Sequence, residues 1–132
     1  MKRSDQREQI FLLLFRVEFN DEQEMQAQED LFFSEAERPV SEKDTAYIRD
    51  KYERIAGKLA QIDAAINERT VGWDTDRMSK VDLTIIRLAV FEILYDETVP
   101  VGVAINEAVE LAKKYGQDES PSFVNGVLAK FA

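Results

Sequence analysis

Apolar residues recur in steps of three and four along almost the whole chain, which directs it toward α-helices. The clearest stretch is Ile48, Tyr52, Ile55, Leu59, Ile62 and Ile66, with steps of four, three, four, three and four. That repeat places all six on one helix face. Ser41, followed three residues later by Asp44, starts the stretch as a capping box, the serine oxygen taking an amide that the first helical turn leaves unpaired. One amphipathic helix is therefore expected over this region, with Gly57 as a point where it can bend.

A second box, Ser79 to Asp82, precedes the most apolar part of the chain: Leu83, Ile85, Ile86, Leu88, Ala89, Val90, Phe91, Ile93 and Leu94. A helix apolar around its circumference must be covered on all sides, so this one is expected to be central, with Leu88 buried. Arg87 and Glu92 within it read as structural hydrogen-bonding groups. A first helix over residues 5–19, capped by Ser4, carries the run from Ile10 to Phe15 and should also lie between others. An acidic helix over residues 22–33 follows, with Pro39 in the loop after it.

Val71 and Gly72 close the long stripe. Residues 73–78 read as a short connecting turn or helix, with Trp73 as a core or seam residue. Pro100 opens a helix with the stripe Ile105, Ala108, Ala112 and Tyr115, which Gly116 ends. Ser120 and Pro121 read as N-cap and first residue of a last helix reaching Phe131. The expectation is an all-α chain of about seven helices.

With 132 residues, one compact domain is the default. There is no cysteine and no histidine, which removes disulfides, thiolate and imidazole chemistry, and zinc sites built on nitrogen or sulfur ligands. No glycine-rich phosphate loop or metal-ligand cluster stands out, so no catalytic residue, metal or cofactor is expected and the chain reads as a binding protein. The apolar run from Ile10 to Phe15 is far shorter than the ~20 residues of a membrane span, and the N-terminus lacks signal-peptide features. A cytoplasmic protein is expected. The net charge of −9 is concentrated: residues 18–37 hold eight acids and no base, so the rest is close to neutral. This block reads as a solvated helix and loop.

The segment VAINEAVELAKKYG (residues 103–116), followed by FVNGVL (residues 123–128), closely resembles the C-terminal signature of the NusB family. Pro100, the segment IRLAVFE (residues 86–92) and the Arg7–Glu8 pair before an apolar helix also fit. The resemblance covers essentially the whole chain and is weakest over residues 20–43. It implies a single NusB-like domain of two helical subdomains, about residues 1–72 and 73–132. It further implies a factor that binds single-stranded boxA RNA together with the ribosomal protein NusE, and that helps the transcription elongation complex resist termination during ribosomal RNA synthesis. Family members resemble dimers or monomers, so a homodimer is left open.

By the same resemblance, Lys2, Arg3 and Arg7 match an RNA-contacting basic segment, although Asp5 between them opposes phosphate. Three such contacts on single-stranded RNA would give a salt slope of at most roughly 2. Asp118 and Glu119 match acidic positions near the RNA surface, and Asp82 matches one near the protein partner. Phe123 also stands out by geometry. At 100° per residue, Val124, Val127, Leu128 and Phe131 form the apolar stripe of the last helix, and Phe123 lies roughly 90° from its centre. An aromatic ring there is either a stacking platform for an unpaired base or a side chain packed beneath the preceding loop. Two other readings remain. One is an RNA-binding accessory domain of an rRNA cytosine methyltransferase, disfavoured because the chain ends at Ala132 with no catalytic domain. The other is a structural helical oligomer built on the stripe from Ile48 to Ile66.

Overall fold

The computed structural model describes residues 1–37 and 40–132, so Pro39 lies outside the described residues. Among the described residues there are seven α-helices and no strand, as the periodicity predicts. The chain divides into two compact units, Met1–Ala56 and Gly57–Ala132.

The first unit contains α1 (Arg3–Phe15), α2 (Met25–Ser34) and α3 (Glu42–Ala56), with α1 packed on α3. Ile10, Phe11, Leu13 and Leu14 of α1 are buried, as are Ile48, Tyr52 and Ile55 of α3. Full burial of such side chains stabilises by about 1.5–3 kcal/mol each. Ser41 caps α3 as expected: its hydroxyl accepts from the Asp44 amide at 3.1 Å and donates to Asp44 Oδ2 at 3.0 Å. The same carboxylate receives Gln6 Nε2 at 2.9 Å and the terminal ammonium of Met1 at 3.2 Å.

These bonds hold the beginning of α1 against the beginning of α3, and they correct the expectation for Ser4. The helix begins at Arg3 with Lys2 in the cap position, and Ser4 lies inside the first turn. At its other end α1 stops at Phe15 and tightens into a 3₁₀ turn over Arg16–Glu18.

The second unit contains α4 (Leu59–Arg69), α5 (Lys80–Tyr95), α6 (Val101–Tyr115) and α7 (Ser120–Ala129). The stripe expected to form one bent helix is thus two helices, α3 and α4. Glycine is unfavourable in a helix interior by about 1 kcal/mol, and at Lys58 the backbone leaves helical geometry (φ −115°, ψ 7°). Helix α4 is instead tied to α5: Arg87 Nε and Nη2 donate to the two oxygens of Asp63 at 2.8 and 2.7 Å. That bidentate pair joins α4 to α5 within the second unit.

Helix α5 packs against α4, α6 and α7 and buries Leu83, Ile85, Ile86, Leu88, Ala89, Val90 and Phe91. Ser79 caps it, accepting from the Asp82 amide at 3.1 Å. Gly116, after α6, is required by close approach, because an added Cβ would lie 2.4 Å from the Ser120 side chain. Ser120 is the first residue of α7, not its cap. Its buried hydroxyl accepts from the Gln117 amide at 3.0 Å and so closes the α6–α7 turn.

Leu88→Ala should cost about 2–5 kcal/mol in a denaturant melt, because the side chain is almost fully enclosed on α5. A loss below about 1 kcal/mol would contradict the central role of that helix. The Asp44 carboxyl is held below its ordinary value of 3.8, first by the Gln6 hydrogen bond and next by Ser41. Its folded value lies below its unfolded one, so its contribution is present above the ordinary value and lost as pH falls through the folded value. Asp44→Asn should therefore be less stable than wild type near neutral pH, and the gap should close as pH falls below 3.8.

Candidate nucleic-acid interface

The residues expected to meet RNA are distributed over both units, and each set is held by different chemistry. In the first unit Lys2 and Arg3 are exposed at the start of α1. The Arg3 guanidinium lies 5.0 Å from the centroid of the Tyr47 ring, an attraction between cation and ring face that restrains the side chain. Around them, Met1, Lys43, Asp44 and Tyr47 line an open recess of about 480 Å³. Arg7 departs from expectation. One turn further along α1 it is only 7% exposed, so it serves the interior of the fold rather than a phosphate on the surface.

The acidic block is also more structured than a solvated face. Glu24 accepts from the Asp21 amide at 2.9 Å and so caps the approach to α2. Arg49 on α3 bonds Glu29 at 3.2 Å and pairs with Asp30 at 3.4 Å, and Arg16 pairs with Glu35 at 3.6 Å. Glu29 is buried, and its carboxyl is raised above the ordinary carboxylate range, first by burial and then by Glu53 beside it, with Arg49 opposing. Asp21, Glu24, Glu29, Asp30 and Glu35 of this block are thereby engaged in caps or ion pairs within the unit.

In the second unit the candidates gather at the start of α7. Asp118 and Glu119 are exposed, Glu119 in the cap position, where a carboxylate complements the positive end of the helix dipole. Phe123, one turn into the helix, is half-buried. Its ring meets the Trp73 indole edge to face, with centroids 5.5 Å apart and planes at 66°. Of the two places expected for Trp73, core or seam, the core is excluded: it is 55% exposed.

The loop that carries Trp73 is built to present it. Gly72, at φ +81°, occupies the left-handed region that a side chain would strain. Arg77 Nη1 donates to the Gly72 carbonyl at 3.0 Å, and the Thr75 amide donates to Asn67 Oδ1 at 2.8 Å. Composition pointed to Trp73 as the only tryptophan, but its position between α4 and α5, next to a glycine and two aspartates, was the signal that it faces out.

Asp82, matched to the protein partner, donates its amide to Ser79, while its Oδ1 is shielded from solvent without a hydrogen bond among the described residues. Arg87 has the structural role expected of it, in the pair with Asp63.

The NusB family model matches residues 4–132. The chain belongs to the NusB family. The Agathobacter rectalis protein named transcription antitermination protein NusB is 54% identical over 132 residues, covering 100% of both chains. The structure is also similar to that of T. maritima NusB, with a TM-score of 0.85 at 32% identity over 100% of this chain and 91% of that one. A chain in the crystal structure of the antitermination factors NusB and NusE in complex with dsRNA has the same fold, with a TM-score of 0.84 at 24% identity over 99% of this chain and 97% of that one. The NusB relationship thus extends through both units and includes the α5, α6 and α7 segments on which the resemblance rested.

Phe123→Ala removes one ring of an edge-to-face pair, not a filled core position. Because the ring is only half-buried, the total cost should fall below the roughly 3–5 kcal/mol of a fully buried phenylalanine, with about 0.5–1.5 kcal/mol of it from the lost ring pair. A denaturant melt of the variant against wild type measures it.

Proposed function

We propose that this protein is a transcription antitermination factor that binds boxA-type single-stranded RNA together with the ribosomal protein NusE. Whole-length identity of 54% to an antitermination protein NusB carries this reading. The structural neighbour solved with NusE and dsRNA supports both classes of partner. Its function is binding rather than catalysis, and it acts in the cytoplasm on nascent ribosomal RNA transcripts as part of the elongation complex. Homodimerisation would compete with or precede that assembly.

On the RNA side, Lys2 and Arg3 supply phosphate contacts that position the strand without reading it, and Phe123 supplies a stacking surface. Asp118 and Glu119 border that surface and repel phosphate from the head of α7, which directs the backbone elsewhere. On the protein side, Asp82 at the head of α5 offers an acidic contact. A net charge of −9 favours encounter with a basic ribosomal protein and restrains its orientation.

A pull-down with NusE, followed by a boxA RNA mobility shift with and without it, tests the reading. Capture of NusE and a shift enhanced by it are expected. Absence of both would remove the antitermination assignment. In the same assay, neutralising Lys2 and Arg3 should flatten the slope of log K against log salt by roughly 1.4, the share of two phosphates on a single strand. Adding an Arg7 substitution should flatten it no further, because Arg7 is buried. A further drop on mutating Arg7 would show that its guanidinium reaches the RNA.

A further inference from the structure

One recess in the second unit combines features that protein packing does not explain. Phe123, Gly126 and Lys130 follow one another on α7 in steps of three and four and so share a face. Trp73 and Val71, from the loop before α5, line the recess beside that face, which encloses about 260 Å³. Trp73 is 55% exposed and Val71 93% exposed, a large apolar surface left to water.

Gly126 sits inside a helix, where glycine is unfavourable, yet an added Cβ there would meet nothing within 4 Å and the backbone needs no positive φ. The fold therefore has no use for the missing side chain, whereas a flat ligand lying on this face does. Lys130 is the one titratable group lining the recess, and its ammonium has no ion pair among the described residues.

We propose that this recess takes one unpaired nucleobase of the bound RNA, laid against the Trp73 ring over Gly126, with a neighbouring phosphate on Lys130. The proposal rests on the RNA-binding reading above and extends it from Phe123 to a two-sided site. Its volume is below the roughly 300–1,000 Å³ of a pocket for a drug-sized ligand, the right scale for a single ring system. The edge-to-face contact with Phe123 fixes the indole while leaving ring surface open for stacking, and the lysine beside it complements the phosphodiester. Gly126 keeps the helix surface low enough for the ring to approach.

Trp73 is the only tryptophan of the chain, so its fluorescence reports on the site directly. A labelled single-stranded boxA RNA is titrated into the full chain, with and without saturating NusE, following label anisotropy and indole emission together. The Trp73→Phe protein serves as the blank for any emission from NusE. Binding should quench Trp73, and a scan of single abasic sites through the RNA should abolish the quench at one position.

Trp73→Ala should weaken RNA binding by about 5-fold to 100-fold, with Trp73→Phe losing less. Gly126→Ala should melt no lower than wild type yet bind RNA at least about 5-fold more weakly, a combination that loss of folding cannot produce. Normal anisotropy with unmoved Trp73 emission, or RNA affinity within about twofold of wild type in both Trp73→Ala and Gly126→Ala, would overturn the site and leave the RNA-binding function standing. Quenching by NusE alone, unchanged by RNA, would overturn it in favour of a protein contact. No anisotropy change for wild type with NusE present would remove the RNA-binding reading and the site together.

Discussion

Between Leu83 and Glu92, helix α5 has almost no face to give to water, and the second unit is arranged around that constraint. Nine of its sixteen residues are buried, including Thr84 and Glu92 as well as the aliphatic side chains. Such a helix is stable only when neighbours cover it, and α4, α6 and α7 do so. The Arg87–Asp63 pair adds direction to this non-directional burial, because two parallel hydrogen bonds fix how α4 lies on α5. With α4 and α5 locked, the loop between them has both ends pinned, and Gly72 and Arg77 set the position from which Trp73 projects. The exposed aromatic surface is thus a consequence of core geometry.

Polar anchoring dominates where the first unit needs precision. The single carboxylate of Asp44 gathers the chain terminus, Gln6 and Ser41 and aligns two helix beginnings. Arg49 draws Glu29 and Asp30 of α2 onto α3, while its guanidinium lies 5.0 Å from the Phe33 ring centroid. Cations that might have served a polyanion are therefore divided. Arg7, Arg16 and Arg49 are engaged in the fold, and Lys2 and Arg3 remain on the surface. A chain this acidic can still approach RNA because much of its negative charge is confined to one segment and partly neutralised there.

The residues proposed to meet RNA fall on both units: Lys2 and Arg3 on the first, Phe123 on the second. The first unit carries exposed charge at the head of α1, at Lys2 and Arg3. The second carries ring surface at Trp73 and Phe123, with Lys130 beside it.

The all-helical class, the caps at Ser41 and Ser79, the centrality of α5 and the NusB signature were all legible in the sequence, because each depends on residues close together along the chain. Periodicity reports which face of a helix is apolar, and caps report where it begins, without knowledge of any neighbour. The break at Gly57, the burial of Arg7 and Glu29, and the outward position of Trp73 were not legible. Gly57 tolerates either a bend or a break, and the pull of Arg87 on Asp63, twenty-four residues apart, supports the break. Arg7 and Trp73 have side chains that suit an interior or a surface equally well by composition. Only the tertiary structure decided between them, because burial is set by the helices that arrive from elsewhere in the chain.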